Sequence, residues 1–128
     1  MVWAVSPEPR SRTGQRQLGE RAATLAASYC RRRLGRDHAQ AVWQMLADAT
    51  RLGVVCHGRP EAWAGGAVIA LARAGGLIGP HGPLDAQEVA EEFDVTLGAL
   101  GVTEHELARA LHVARYAAPV RPVTGGSA

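Results

Sequence analysis

The sequence predicts an all-α fold: a single bundle of five helices around a buried central helix at about residues 60–75. Three observations carry that prediction. The stretch RPEAWAGGAVIALARAGGL, Arg59 to Leu77, has no polar side chain on any face between Ala62 and Ala72, and a helix apolar all round belongs inside a protein. Elsewhere apolar residues recur at spacings of three and four, the helical period. Finally, no strand-like alternation and no repeat of domain length occurs.

Each element follows from local rules. Residues 1–15, with Pro7, Pro9, Gly14 and scattered arginines, lack apolar periodicity and read as a flexible basic tail. The helical domain spans 16–116. From Gln17 to Leu34, Leu18, Ala22, Leu25 and Tyr29 form one buried stripe, and Arg31, Arg32 and Arg33 complement the carbonyl end of the helix dipole. Asp37 and Gln40 resemble a capping box. A second helix of about 18 residues follows, with Val42, Met45, Leu46, Ala49, Leu52 and Cys56 inward and Trp43 as a lid over the core.

The central helix is marked at both ends. Pro60 suits a first helical position and Gly75-Gly76 a left-handed stop. Its small residues let neighbours approach, while Trp63, Val68, Ile69 and Leu71 fill the core. Ile78 to Pro83 is loop by composition. Asp85 and Glu88 open a short helix through Val89, Ala90 and Phe93. Thr103 and Glu106 form a further capping box, leading into a helix that buries Leu107, Ala110, Leu111 and Ala114. Residues 117–128 read as a flexible C-terminal tail.

With 128 residues the chain has enough length for one domain with a genuine core. Cys30 and Cys56 fit core thiols in a reducing compartment better than a disulfide framework. The N-terminus has no signal-peptide pattern and no apolar run approaches a bilayer span, so a cytoplasmic protein without membrane attachment is expected. All 14 basic residues are arginine, which is first a compositional bias. Their placement is more telling. Residues 1–36 hold eight arginines against Glu8 and Glu20, a charge of +6, whereas the remainder holds six against ten acids, a charge of −4. From Asp85 to Glu106 there are seven acids and no arginine, which opposes a nucleic-acid surface there.

The segments YCRRRLGRDHAQAVWQMLADATR, GRPEAWAGGAVIALARAGGLI and LDAQEVAEEFDVT resemble an uncharacterised bacterial helical domain family with a G-[RK]-P-E-x-W-A motif. That domain is similar, distantly, to the cyclin-like repeat of transcription factor IIB. The match covers roughly residues 28–100 and rests on Arg59, Pro60, Glu61, Trp63, Ala64 and Ala70, with the spacing to Ala90. It implies a cyclin-like bundle with a terminal helix-turn-helix at 85–116, hence a transcription-associated, DNA-binding expectation; shared fold does not fix function. Ala90, Asp94, Val95 and Thr96 follow a standard helix-turn-helix, but Leu97-Gly98-Ala99-Leu100 is a poor recognition helix. Gly101-Val102-Thr103 repeats the turn motif seven residues later, so the unit is degenerate, with an insertion at 97–103 or a lost DNA role.

On a helix from Thr103 onward, His105, Arg109, His112 and Tyr116 fall at i, i+4, i+7 and i+11 and form one exposed stripe. Together with Arg115 and the Arg31–Arg33 cluster they are the candidate nucleic-acid contacts; a solvated face is the competing description. No CxxC, HExxH, GxSxG, phosphate loop or dinucleotide fingerprint occurs, and Glu91-Glu92 and Glu104/Glu106 do not face one another as acid and base. Neither a cofactor nor a metal nor a small-molecule substrate is expected. The sequence leaves two readings of a non-enzymatic, macromolecule-binding module: nucleic-acid binding through the last helix, or protein interaction, including homodimerisation, through the acidic 85–106 surface.

Overall fold

The structure is a computed structural model that describes residues 12–79 and 82–117. Its helices are α1 (Arg12–Arg33), α2 (Arg36–Arg51), α3 (Pro60–Ala74), α4 (Ala86–Phe93), α5 (Leu97–Ala110) and α6 (Val113–Ala117). Among the described residues the only extended pairing is an isolated bridge between Ile78 and Leu84. The all-α class holds. Among the described residues no helix is long and apolar enough to cross a membrane.

The central element is α3. Every residue from Trp63 to Ala72 is buried, and each of the other helices packs against it. Its entry is held by residues of the Gly58-Arg59-Pro60-Glu61-Ala62-Trp63-Ala64 motif. Pro60 sits in the first turn, the indole of Trp63 donates to His57 O at 2.7 Å, and the Arg59 guanidinium donates to Asp94 O at 3.2 Å. Arg59 thereby ties the start of α3 to the turn between α4 and α5. Gly76, with φ 74°, supplies the left-handed stop after the helix.

Two glycines make a notch in α3. A Cβ on Gly65 would run into Leu100 Cδ2; one on Gly66 would run into Thr103 Oγ1 and lie 3.0 Å from the Glu104 backbone nitrogen. The backbone of α5 therefore lies directly on α3. Across that contact the Thr103 hydroxyl donates to Ala62 O at 2.8 Å, so a polar side chain that is only 6% exposed is satisfied by the neighbouring helix.

A second set of contacts joins α1 to α4. Arg32 and Arg33 lie 3.5 Å from Glu92 and Glu88 respectively, and both guanidinium groups stand 5.8 Å from the Tyr29 ring centroid. Tyr29 in turn packs on Phe93 with ring centroids 5.3 Å apart. Its hydroxyl is buried with no hydrogen-bond partner among the described residues, and burial raises its pKa.

Several sequence expectations are corrected. The described residues form six helices, not five. Residues 12–15, read as tail, form the start of α1, and Ala117 closes α6; residues 1–11 and 118–128 of the expected tails lie outside the described residues. Asp37 does not cap α2, which starts at Arg36 after Gly35, whose φ of 111° makes the turn. The helix ends at Arg51, leaving Cys56 only partly buried. Trp43 is no lid: it is 48% exposed.

The largest correction concerns the end of the chain. Asp94 takes the left-handed conformation with φ 56°, and Thr96 caps α5 by accepting from Ala99 N at 3.0 Å. The helix thus begins at Leu97 and runs unbroken through 97–103, and Thr103 is a mid-helix packing residue and not a cap. It also stops early. Leu111 is extended, with φ −125° and ψ 154°, and is half-buried like its neighbours on α6, while Ala110 and Ala114 are exposed. Trp63, Val68, Ile69, Leu71 and Leu107 do occupy the core.

Two predictions follow from this packing. Gly66→Ala should destabilise the protein by about 1–3 kcal/mol through overpacking, despite alanine's better helix propensity. Gly101→Ala, on the open side of α5 with nothing within 4 Å, should stabilise it by up to about 1 kcal/mol. Urea denaturation measures both, and a neutral Gly66→Ala would mean that α3 and α5 do not touch there. The second concerns His38, 6% exposed, whose pKa burial lowers from 6.5 although Asp37 opposes the shift. The unfolded chain therefore takes up its proton first, so this contribution is present above about pH 6.5 and lost as pH falls. The melting temperature should drop between about pH 7 and about pH 5.5, and His38→Gln should flatten that slope; an unchanged slope in the variant would assign it to another group.

Candidate functional site

The carboxyl ends of α2 and α5 face each other beside α6 across a groove of about 850 Å³. Its walls carry Asp48 and Arg51 from α2, Arg109 from α5, His112 from the break, and Arg115 and Tyr116 from α6. Arg51 and Arg109 sit in the last turns of their helices, where cations are favoured by the dipole. Leu107 is buried and anchors α5 in the core, so the turn that follows must emerge at this end of the bundle.

One acid faces three arginines. Asp48 accepts hydrogen bonds from Tyr116 Oη at 2.5 Å, Arg51 Nη2 at 2.7 Å and Gln44 Nε2 at 2.9 Å. Burial pulls its pKa up, but the bonds from Tyr116, Gln44 and Arg51, with the Arg51 charge, outweigh it and hold the carboxyl below 3.8. Tyr116 is pushed up to about 12, by burial first and then by its bond to Asp48. The pair latches α6 onto α2. Beyond it the guanidinium groups project into solvent, with Arg51 69% and Arg109 67% exposed. The partner of Arg109 is Glu106 at 4.0 Å, and Arg115 makes no ion pair among the described residues. The groove is therefore cationic, with donors available for an anion with several oxygens.

The structure redistributes the sequence candidates. Arg109, His112, Arg115 and Tyr116 do come together, but around a break and not as one helical stripe. Tyr116 is engaged in the latch. His105 is exposed on α5 outside the groove. Arg31 is exposed at the end of α1, and Arg32 and Arg33 are paired with α4. Arg51 and Asp48 were not among the candidates. Their signal was the i, i+4, i+7 spacing of Gln44, Asp48 and Arg51 on the polar side of an otherwise apolar-striped helix.

Two other surfaces bear on function. The first half of α5 exposes Leu97 (48%), Gly98, Gly101 and Val102 (64%), none with a side-chain donor. Four of the seven acids from Asp85 to Glu106 are paired within the fold: Glu88 and Glu92 with α1, Glu104 with Arg73 at 2.7 Å, and Glu106 with Arg109 at 4.0 Å. Among the described residues no group of three or more His, Cys, Asp or Glu is placed to hold a metal ion.

The latch generates a prediction. Tyr116→Phe removes a hydrogen bond to a carboxylate and should cost about 1 kcal/mol in urea denaturation. Asp48 with its lowered pKa contributes stability that is present above about pH 3.8 and lost as pH falls, and the variant should lose less on acidification than the wild type. An Asp48 carboxyl titration unchanged by Tyr116→Phe would dissolve the latch. No family model, curated protein or solved structure matches this chain.

Proposed function

We propose that the protein is a non-catalytic module that holds nucleic acid by its phosphate backbone in the groove between α2, α5 and α6. The observation that carries this is the gathering of Arg51, Arg109, Arg115 and His112 around about 850 Å³ of open space in which the one carboxylate, Asp48, already accepts three hydrogen bonds. The layout of α4, a three-residue turn and α5, with Ala90 buried and left-handed Asp94 four residues on, supports a helix-turn-helix relation. A dry, alanine-rich α3 before that pair supports the cyclin-like kinship as a proposal about ancestry. A recognition helix reads bases with its N-terminal residues. Here those residues are Leu97, Gly98, Ala99 and Gly101, so binding is sequence-tolerant.

The rival reading is a protein-interaction or dimerisation module. Leu97 and Val102, exposed beside Gly98 and Gly101, favour it; the acidic residues of 85–106 favour it less, because four of the seven are paired within the fold.

Titration with a mixed-sequence duplex at varied salt tests the proposal. Two or three neutralised phosphates predict a fall in affinity of roughly 10- to 40-fold between about 50 and about 200 mM salt, with little dependence on sequence. Arg109→Ala/Arg115→Ala should lower the salt slope by nearly one per arginine. Absence of binding at low salt, accompanied by a stable dimer in light scattering, would favour the rival.

A further inference from the structure

Arg51 belongs to two grooves. Besides the one above, it lines a groove of about 540 Å³ between α1 and α2, together with Arg12, Arg16, Glu20 and Trp43. Arg12 and Arg16 are four residues apart on α1 and so share a face. Trp43 is 48% exposed there, in contrast to Trp63, which is 4% exposed and hydrogen-bonded in the core. The two grooves meet at Arg51, around the carboxyl end of α2.

We infer that these grooves form one track for a single-stranded nucleic acid, with Trp43 as the platform on which a base stacks. The inference rests on the backbone-binding reading above and extends it. Gly19 of α1 packs on Thr50, which places Arg16 toward the Arg51 end of the α1–α2 groove and Trp43 toward its other end; the track therefore leads from Trp43 to Arg12, Arg16 and Arg51 and on to Arg109 and Arg115, opposed by Glu20 and by an Asp48 that is already bonded three times. A cationic path with an exposed aromatic is the arrangement that binds single strands without sequence preference: guanidinium groups follow the phosphates, and any base offers a face to the ring. A duplex keeps its bases stacked on one another and has no base to lay on Trp43. The flexible strand does.

The test uses the full chain with 12-nucleotide oligothymidylate, 12-nucleotide oligouridylate and a 12-base-pair mixed duplex, followed by fluorescence anisotropy at about 50 mM salt. Single strands should bind more tightly than the duplex. Trp43→Ala should weaken single-strand binding by roughly 5- to 150-fold, leave the salt slope and duplex affinity unchanged, and be largely restored by Trp43→Phe. Arg16→Ala should instead reduce the single-strand salt slope by about 0.7. A thermal melt of Trp43→Ala matching wild type confirms that the half-exposed ring is not holding the fold. Equal affinity for duplex and strand, or a Trp43→Ala protein that binds strands like wild type or loses strand and duplex alike, overturns this inference and leaves the backbone reading standing. No salt-sensitive binding of any of the three overturns both, and points to a protein that covers Trp43.

Discussion

The architecture depends on the closeness of α3 and α5. Gly65 and Gly66 remove the side chains that would hold the two backbones apart, and Thr103 uses the space, giving its hydroxyl to Ala62 O at 2.8 Å. Interior packing tolerates little spare volume or overlap. The notch therefore sets where α5 lies, and with it where the helix ends, where Leu111 turns and where Arg109 emerges beside Arg51. The groove at the foot of α2 is a consequence of a contact on the other side of α5.

Charge is distributed by the same geometry. The contrast between a basic first segment and an acidic remainder is partly consumed within the fold, where Arg32 and Arg33 meet Glu92 and Glu88 and Arg73 meets Glu104. Exposed pairs of this kind contribute about 0–1 kcal/mol each, so they orient α1 and α5 more than they stabilise them. What the pairing leaves is a cationic end of the bundle, formed by arginines from α1, α2, α5 and α6. The exposed start of α5, with Leu97, Gly98, Gly101 and Val102, carries no such charge.

Much of the bundle was legible in the residues. The apolar run Ala62–Ala72, Pro60 before it and Gly76 after it mark α3 by local chemistry alone, and the core positions Trp63, Val68, Ile69 and Leu71 follow from it. The start of α5 was not legible for a physical reason. Gly98 and Gly101 lower local helix propensity, while Thr103-x-x-Glu106 imitates a capping box, so local rules favour a start seven residues late. Packing against α3 overrides them. The break at Leu111 has neither Gly nor Pro to announce it. Trp43 misled in the opposite direction, since its size suggests the core while its position on α2 faces out. The candidate site was half legible: Arg109, His112 and Tyr116 were placed on a helical stripe that the break at Leu111 interrupts, with Arg115 beside it, and the polar spacing of Gln44, Asp48 and Arg51 on α2 does not by itself say that the chain brings Arg51 to the same place.

Native-state hydrogen exchange bears most directly on the buried axle and its notch. If α3 and the part of α5 laid against Gly65 and Gly66 form one packed unit, the amides of 66–72 and 100–104 exchange only through global unfolding, with the same denaturant dependence, while α6 opens locally at lower cost. Exchange of the α5 amides through an independent, cheaper opening, or rapid exchange within α3, would contradict the account.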